Sequence, residues 1–114
     1  MITLYGIPNC DTCKKARTWF EKRGVNYKFH DYKKQGIDRD KLEEWILQVG
    51  WEPLLNKSGT TFRKLPDVLK QDIDGDKALT LMLAEPTMIK RPVVEGFGEL
   101  IIGYNSTDYE ALAL

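Results

Sequence analysis

Residues 8–17 read PNCDTCKKAR, and they hold both cysteines of the chain, Cys10 and Cys13. What flanks this stretch decides the fold. Upstream, the short apolar run ITLY at residues 2–5 is ended by Gly6 and Pro8, which reads as a buried strand followed by a loop. Downstream, Ala16, Trp19 and Phe20 recur at helical spacing between Asp11 and Arg23, and Gly24 stands where a helix C′ residue belongs. The C-x-x-C therefore opens the first helix. Val25, Tyr27 and Phe29 then alternate with Asn26, Lys28 and His30 in a second strand. Two strands joined through a helix are most simply parallel with a right-handed crossover, so the first thirty residues make a βαβ unit.

Working outward, Asp38 is placed to N-cap a helix carrying Leu42, Trp45, Ile46 and Val49 and closed by Gly50. Residues 51–61 (WEPLLNKSGTT) are rich in turn formers and read as an exposed loop, followed by short helices near 65–71 and 76–83. After Pro86 come PVV, EGFG and LIIG, two strands around a tight turn, then a last helix capped by Ser106 and carrying Tyr109 and Leu112. The order β-α-β, helical insert, β-β-α is that of a thioredoxin-like α/β fold. It predicts a four-stranded mixed sheet in a single domain over residues 1–114, with the helical insert at about 35–88.

Composition fits one core. At 114 residues with 42% apolar and 30% charged side chains, the chain is globular in character and has no material for a second core of ordinary size. Seventeen basic and seventeen acidic residues cancel, so no global field favours nucleic acid or an anionic membrane. The start, MITLYGIPNC, has neither a basic lead-in nor an apolar run of signal-peptide length, and no segment is long enough to span a bilayer. A cytoplasmic monomer is the expectation. A reducing cytosol disfavours a structural disulfide, which leaves metal binding or redox chemistry for the cysteine pair.

A structural zinc site takes four ligands, and the chain offers Cys10, Cys13 and one histidine, His30. A full site would need a carboxylate or a second copy of the chain, so no metal is expected. For redox chemistry the geometry suffices: Cα atoms three apart on a helix lie about 5 Å from each other, within disulfide reach. Cys10 at the helix N-terminus faces unpaired N–H groups, with Lys14, Lys15 and Arg17 adding positive charge against Asp11. Cys10 is the candidate nucleophile. Cys13, one turn further in, is either the resolving thiol or a small core residue.

Other positions carry two readings each. The Arg91-Pro92 bond is either cis, fixing Arg91 in direction, or an edge-strand proline beside a solvated arginine. Lys57 and Arg63 flank a Gly-Thr-Thr loop that reads as an anion site or, more simply, as ordinary surface. His30 at a strand end reads as structural, and Trp19, Trp45 and Trp51 as packing residues instead of a base-stacking platform.

GIPNCDTCKKAR, HDYKKQGI, PLLNKSGTTFRKL and IKRPVV together resemble the arsenate reductase-like family of thioredoxin-fold proteins, which includes the ArsC, Spx and YffB branches, and most closely the YffB branch. The resemblance implies a catalytic cysteine at Cys10, a cis proline at Arg91-Pro92, and glutathione-dependent thiol reduction with glutathione as co-substrate. The expected site comprises Cys10, Cys13 and Arg91 as catalytic residues, with Asn9, Lys14, Lys57 and Pro92 contacting substrate. Arsenate reductases of the family hold their oxyanion with several arginines. Here the corresponding loop reads Asn56-Lys57-Ser58, and Gly103-Tyr104-Asn105-Ser106 follows the last strand without an arginine. A lone lysine replaces a guanidinium poorly, so sulfur is the expected target before arsenate. The Spx-like members, which bind RNA polymerase and carry a C-x-x-C redox switch, supply the alternative of a regulator.

Overall fold

The structure, a computed structural model, describes residues 1–112. Two compact units are present. One comprises Met1–Gln35 with the residues from Arg91 onward; the other is Gly36–Lys90.

The first unit is built on a four-stranded sheet in the order β2-β1-β3-β4. Strand β1 (Ile2–Gly6) pairs parallel with β2 (Tyr27–Asp31), setting Leu4 opposite Phe29, and antiparallel with β3 (Val93–Glu95), setting Leu4 opposite Val94. Strand β4 (Ile101–Ile102) completes an antiparallel pair with β3. Helix α1 (Asp11–Lys22) makes the crossover between β1 and β2 and turns Cys13, Ala16, Trp19 and Phe20 inward. Those residues, with Leu4, Val94 and Tyr109, are buried in the core. Burying each large apolar side chain contributes on the order of 1.5–3 kcal/mol. Trp19 meets Phe20 and Tyr109 edge-on, both at 5.4 Å between ring centroids, a favoured aromatic arrangement. The architecture is thioredoxin-like.

Several boundaries differ from the sequence reading. Val25 falls outside β2 because its N–H returns to the Phe20 carbonyl at 3.0 Å and closes α1, with Gly24 in the left-handed region at φ 65°. The β3–β4 connection is longer than a tight turn, since the pairs Val93–Ile102 and Val94–Ile101 leave residues 95–100 to make it. Phe97 folds back from that loop to stack on Phe20, with centroids 6.0 Å apart. Gly96 permits this path: at φ 120°, a Cβ there would lie 2.8 Å from the Ile2 Cα. A short helix, α2 (Tyr32–Gln35), follows β2 where none was expected. The last helix of the unit, Ser106–Glu110, is capped not by Ser106 but by Asn105, whose side chain accepts from the N–H groups of Thr107 (2.8 Å) and Asp108 (3.2 Å). Leu112 packs on the core from beyond that helix.

The second unit is helical. Helix α3 (Arg39–Val49) starts after Asp38, which holds the N-cap position without a side-chain capping bond, and stops at Gly50 with φ 84°. It buries Leu42 and Trp45. The expected exposed loop at 51–61 is only partly one. Leu54 and Leu55 are buried, Leu55 bridges to Ile89, the Asn56 N–H donates to the Met88 carbonyl (2.8 Å), and the Lys90 N–H donates to that of Leu54 (2.7 Å). Two adjacent leucines within a turn-rich string are enough to tie it to a core. Helix α4 (Thr60–Arg63) begins inside that string, and α5 (Asp67–Lys70) is shorter than expected because Pro66 occupies its N-cap. Helix α6 (Gly75–Ala84) is capped by Asp74, which accepts from the Lys77 N–H at 2.8 Å, and a 3₁₀ turn (Pro86–Met88) follows it. No helix among the described residues is long and apolar enough to cross a membrane. In chain order the helix Ser106–Glu110 is α7.

Candidate active site

The site grows out of the β1–α1 junction. Gly6 ends β1, and a Cβ at that position would stand 2.5 Å from the Cys13 sulfur, so Cys13 seats directly against the strand's backbone. This packing leaves the Cys13 residue fully buried, while Cys10, at the N-cap of α1 with extended backbone (φ −145°, ψ 123°), is part-exposed. One cysteine meets solvent; the other does not. Both are free thiols.

Their acidities diverge accordingly. Burial pushes the Cys10 thiol up, but the Thr12 hydroxyl, the amide and thiol of Cys13, and the Arg91 charge together outweigh it, and the net shift is downward. The Cys13 amide forms no full capping hydrogen bond with the neutral thiol, so its pull is chiefly on the thiolate. Cys13 moves the other way, pushed up to about 12, first by burial; the adjoining Cys10 sulfur adds to the rise, against an opposing pull from the Ile7 N–H. The pair thus consists of an acidified thiol and a thiol held neutral that donates to it.

A hydrogen-bonded chain links the nucleophile candidate to the third strand's entry. The Cys10 sulfur lies 3.2 Å from the Thr12 hydroxyl oxygen, and that hydroxyl donates to the Arg91 carbonyl at 3.1 Å. The Arg91-Pro92 peptide bond is cis, and Pro92 is buried. Thr12 was not singled out in the sequence. A hydroxyl residue two places after the N-cap of a short-range thiol motif is the signal that could have found it. Behind this layer, the Tyr32 hydroxyl is buried without a hydrogen-bond partner, and burial pushes its acidity well out of range, so it stays neutral. The Tyr32 ring stacks at 6.3 Å on that of Tyr5, whose hydroxyl donates to Glu95 (2.7 Å).

The other expected site residues are distributed as follows. Asn9 is exposed beside Cys10. Lys14 follows Cys10 by one helical turn, its N–H donating to the Cys10 carbonyl at 2.9 Å, and lines a groove on α1 with Lys15 and Lys22. Arg17 turns to the β2 side, its guanidinium 4.2 Å from the Phe29 ring centroid and its Nε donating to the Tyr27 hydroxyl at 3.0 Å. Lys57 belongs to the second unit, with Nζ 5.5 Å from the Trp51 ring centroid. His30 packs against Tyr5 at 4.7 Å between centroids. Among the described residues, no three histidine, cysteine or acidic side chains cluster as a metal site.

Known proteins are similar to this chain over nearly its whole length. A solved structure named YffB is 53% identical, with a TM-score of 0.93 over 99% of this chain and 100% of that one. An uncharacterized protein of Haemophilus influenzae is 42% identical over 97% of each chain. The global transcriptional regulator Spx of Streptococcus pyogenes is 27% identical over 97% of this chain and 84% of its own length. The family model described as ArsC family matches residues 5–112, so the chain belongs to the ArsC family.

Proposed function

We propose that the chain is a cytoplasmic thiol-disulfide reductase that uses glutathione as its co-substrate. The observation that carries this reading is the opposite displacement of the two thiols, Cys10 downward and Cys13 up to about 12. The Cys10 thiolate attacks the glutathione sulfur of a mixed disulfide. The new bond is Cys10–S–S–glutathione, and the substrate leaves as a thiolate that takes a proton from water. A second glutathione thiolate then attacks that glutathione sulfur, releasing oxidised glutathione and restoring the Cys10 thiolate. In the resting site Cys13, held neutral by burial, serves as hydrogen-bond donor to the Cys10 thiolate.

Arg91, whose charge already acts on Cys10, orients a carboxylate of glutathione, with Asn9 and Lys14 completing the substrate contacts. Arsenate is the weaker substrate, because Asn56-Lys57-Ser58 and residues 103–106 lack the arginines a tetrahedral oxyanion would engage. The likeness to Spx over nearly the whole chain favours a second reading, a redox-sensing regulator that binds RNA polymerase.

Turnover of a small glutathione mixed disulfide by wild type, Cys10→Ser and Cys13→Ala, run beside a pull-down with the RNA polymerase α subunit, separates the two. Activity lost in Cys10→Ser and retained in Cys13→Ala supports the reductase. Polymerase binding without turnover would overturn it in favour of the regulator.

A further inference from the structure

Helix α1 carries, besides the cysteines, a groove of about 370 Å³ lined by Lys14, Lys15, Lys22 and Arg23, with Trp19 and Tyr104 among the residues that close it. Helical spacing explains the shape. Lys14, Thr18 and Lys22 form one column of side chains at intervals of four, and Lys15, Trp19 and Arg23 form the next. Each column carries a cation at both ends and an uncharged residue between them. Among the described residues, no acidic side chain lines the groove itself.

Two acids stand at the borders of the groove: Glu110 beside Trp19 and Arg23, and Asp11 one turn before Lys15, while Glu21 is engaged on another side. Glu21 accepts from the Tyr27 hydroxyl (3.4 Å), on the side where Arg17 lies. Glu110 accepts from Trp19 Nε1 (3.1 Å) and from Arg23, which holds its carboxyl below the usual range and fixes Arg23 over the Trp19 ring at 3.9 Å. Lys14, Lys15 and Lys22 make no ion pair among the described residues. Like charges gathered at the two ends of one groove repel one another, a modest cost that an anionic occupant offsets.

We infer that this groove docks an acidic, extended peptide segment of a protein substrate, lying along α1 and leading to Cys10. The dimensions favour a peptide over a small anion. Lys14 and Lys22 are about 12 Å apart along a helix rising 1.5 Å per residue, so one phosphate or carboxylate cannot reach both ends. An extended chain at about 3.3 Å per residue covers that distance with roughly four residues, enough to place an acid at each end and an apolar side chain on the aromatic middle. The Lys14 end lies one turn from Cys10, which orients the bound chain toward the thiol. The docking stands on the groove itself; only the identity of the segment as flanking a reducible cysteine rests on the proposed reductase function.

The test uses binding, so it does not depend on turnover. An end-capped octapeptide of alternating glutamate and valine, containing no cysteine, is titrated into the reduced protein and followed by ¹H–¹⁵N correlation spectra. A glutamine-for-glutamate version and inorganic tripolyphosphate are run in parallel. The expected result is saturable shifts at Lys14, Lys15, Lys22, Arg23, Tyr104 and the Trp19 indole for the glutamate peptide alone, with binding weakened about tenfold or more by Lys15→Glu/Lys22→Glu. A spectrum of the double variant that stays dispersed shows that the loss is not unfolding. Equal binding of the glutamine peptide, equal binding of tripolyphosphate, or shifts centred elsewhere would overturn the proposal. Turnover of the small mixed disulfide by wild type, measured separately, reports on the reductase reading alone.

Discussion

Replacing Thr12 by valine keeps the shape of the side chain and removes the one hydroxyl that touches both Cys10 and the Arg91 carbonyl. That hydroxyl has a single proton. While Cys10 is a thiol, the proton is directed to the Arg91 carbonyl; once the sulfur is an anion, the stronger acceptor is the sulfur. A hydrogen bond to a charged group is worth roughly 1.5–3 kcal/mol, and the exposed setting of Thr12 places this one at the low end. The neutral bond given up to the carbonyl is worth about 1 kcal/mol. The balance of about 0.5 kcal/mol, at about 1.36 kcal/mol per pKa unit, raises the Cys10 pKa in Thr12→Val by roughly 0.4 unit. The rate of iodoacetamide alkylation, measured from pH 4 to 9, reads that midpoint directly, because Cys13 is buried and titrates only near 12. Thr12→Ser should restore the wild-type midpoint. A valine variant whose midpoint coincides with wild type would show that the Cys13 donor and Arg91 hold the thiolate without Thr12.

Gly6→Ala drives a Cβ to 2.5 Å from the Cys13 sulfur and should destabilise the fold by about 1–3 kcal/mol in urea unfolding, whereas adding Cys13→Ala should recover most of the loss. The raised Cys13 pKa makes a pH prediction of definite sign. The unfolded thiol ionises near 8.5 and the folded one near 12, so its contribution is complete below about pH 8.5 and is lost as pH climbs toward 12. Stability measured between about pH 8.5 and 10, below the tyrosine range, should fall in wild type and fall less in Cys13→Ala. Asn105→Ala removes the acceptor for two amide protons at the start of α7 and should cost about 1 kcal/mol, with the Tyr109 ring losing order in near-ultraviolet circular dichroism.

The strand-loop-helix order around Cys10 was legible because hydrophobic period changes sharply there, from the ITLY run to the spacing of Ala16, Trp19 and Phe20, and Gly24 punctuates the end. The same held for α3, where Leu42 and Trp45 mark an apolar face and Gly50 a stop. What escaped were features that depend on contacts distant in sequence. Leu54 and Leu55 look like loop residues until Lys90 and Ile89 arrive to pair with them. Phe97 reads as turn filler until Phe20 gives it a ring to stack on. At the site, the exposure difference between the cysteines followed from their places on the helix, but the Thr12 link to Arg91 spans 79 positions and no local pattern encodes it. Asn105 and Ser106 are both good caps, and only the geometry of the chain entering α7 chose between them.

The seat of Cys13 against the β1 backbone also bears on how this scaffold can change over evolutionary time. With Gly6 leaving no spare volume, the position admits cysteine or something no larger, such as serine or alanine, without disturbing the sheet or helix. Exchange of one sulfur for one oxygen would convert a two-thiol site into a one-thiol site while Cys10 keeps its place at the helix start. Chemistry at this position can therefore drift between catalysis with a borrowed thiol and switching with an internal one, and the architecture would register almost nothing of the change.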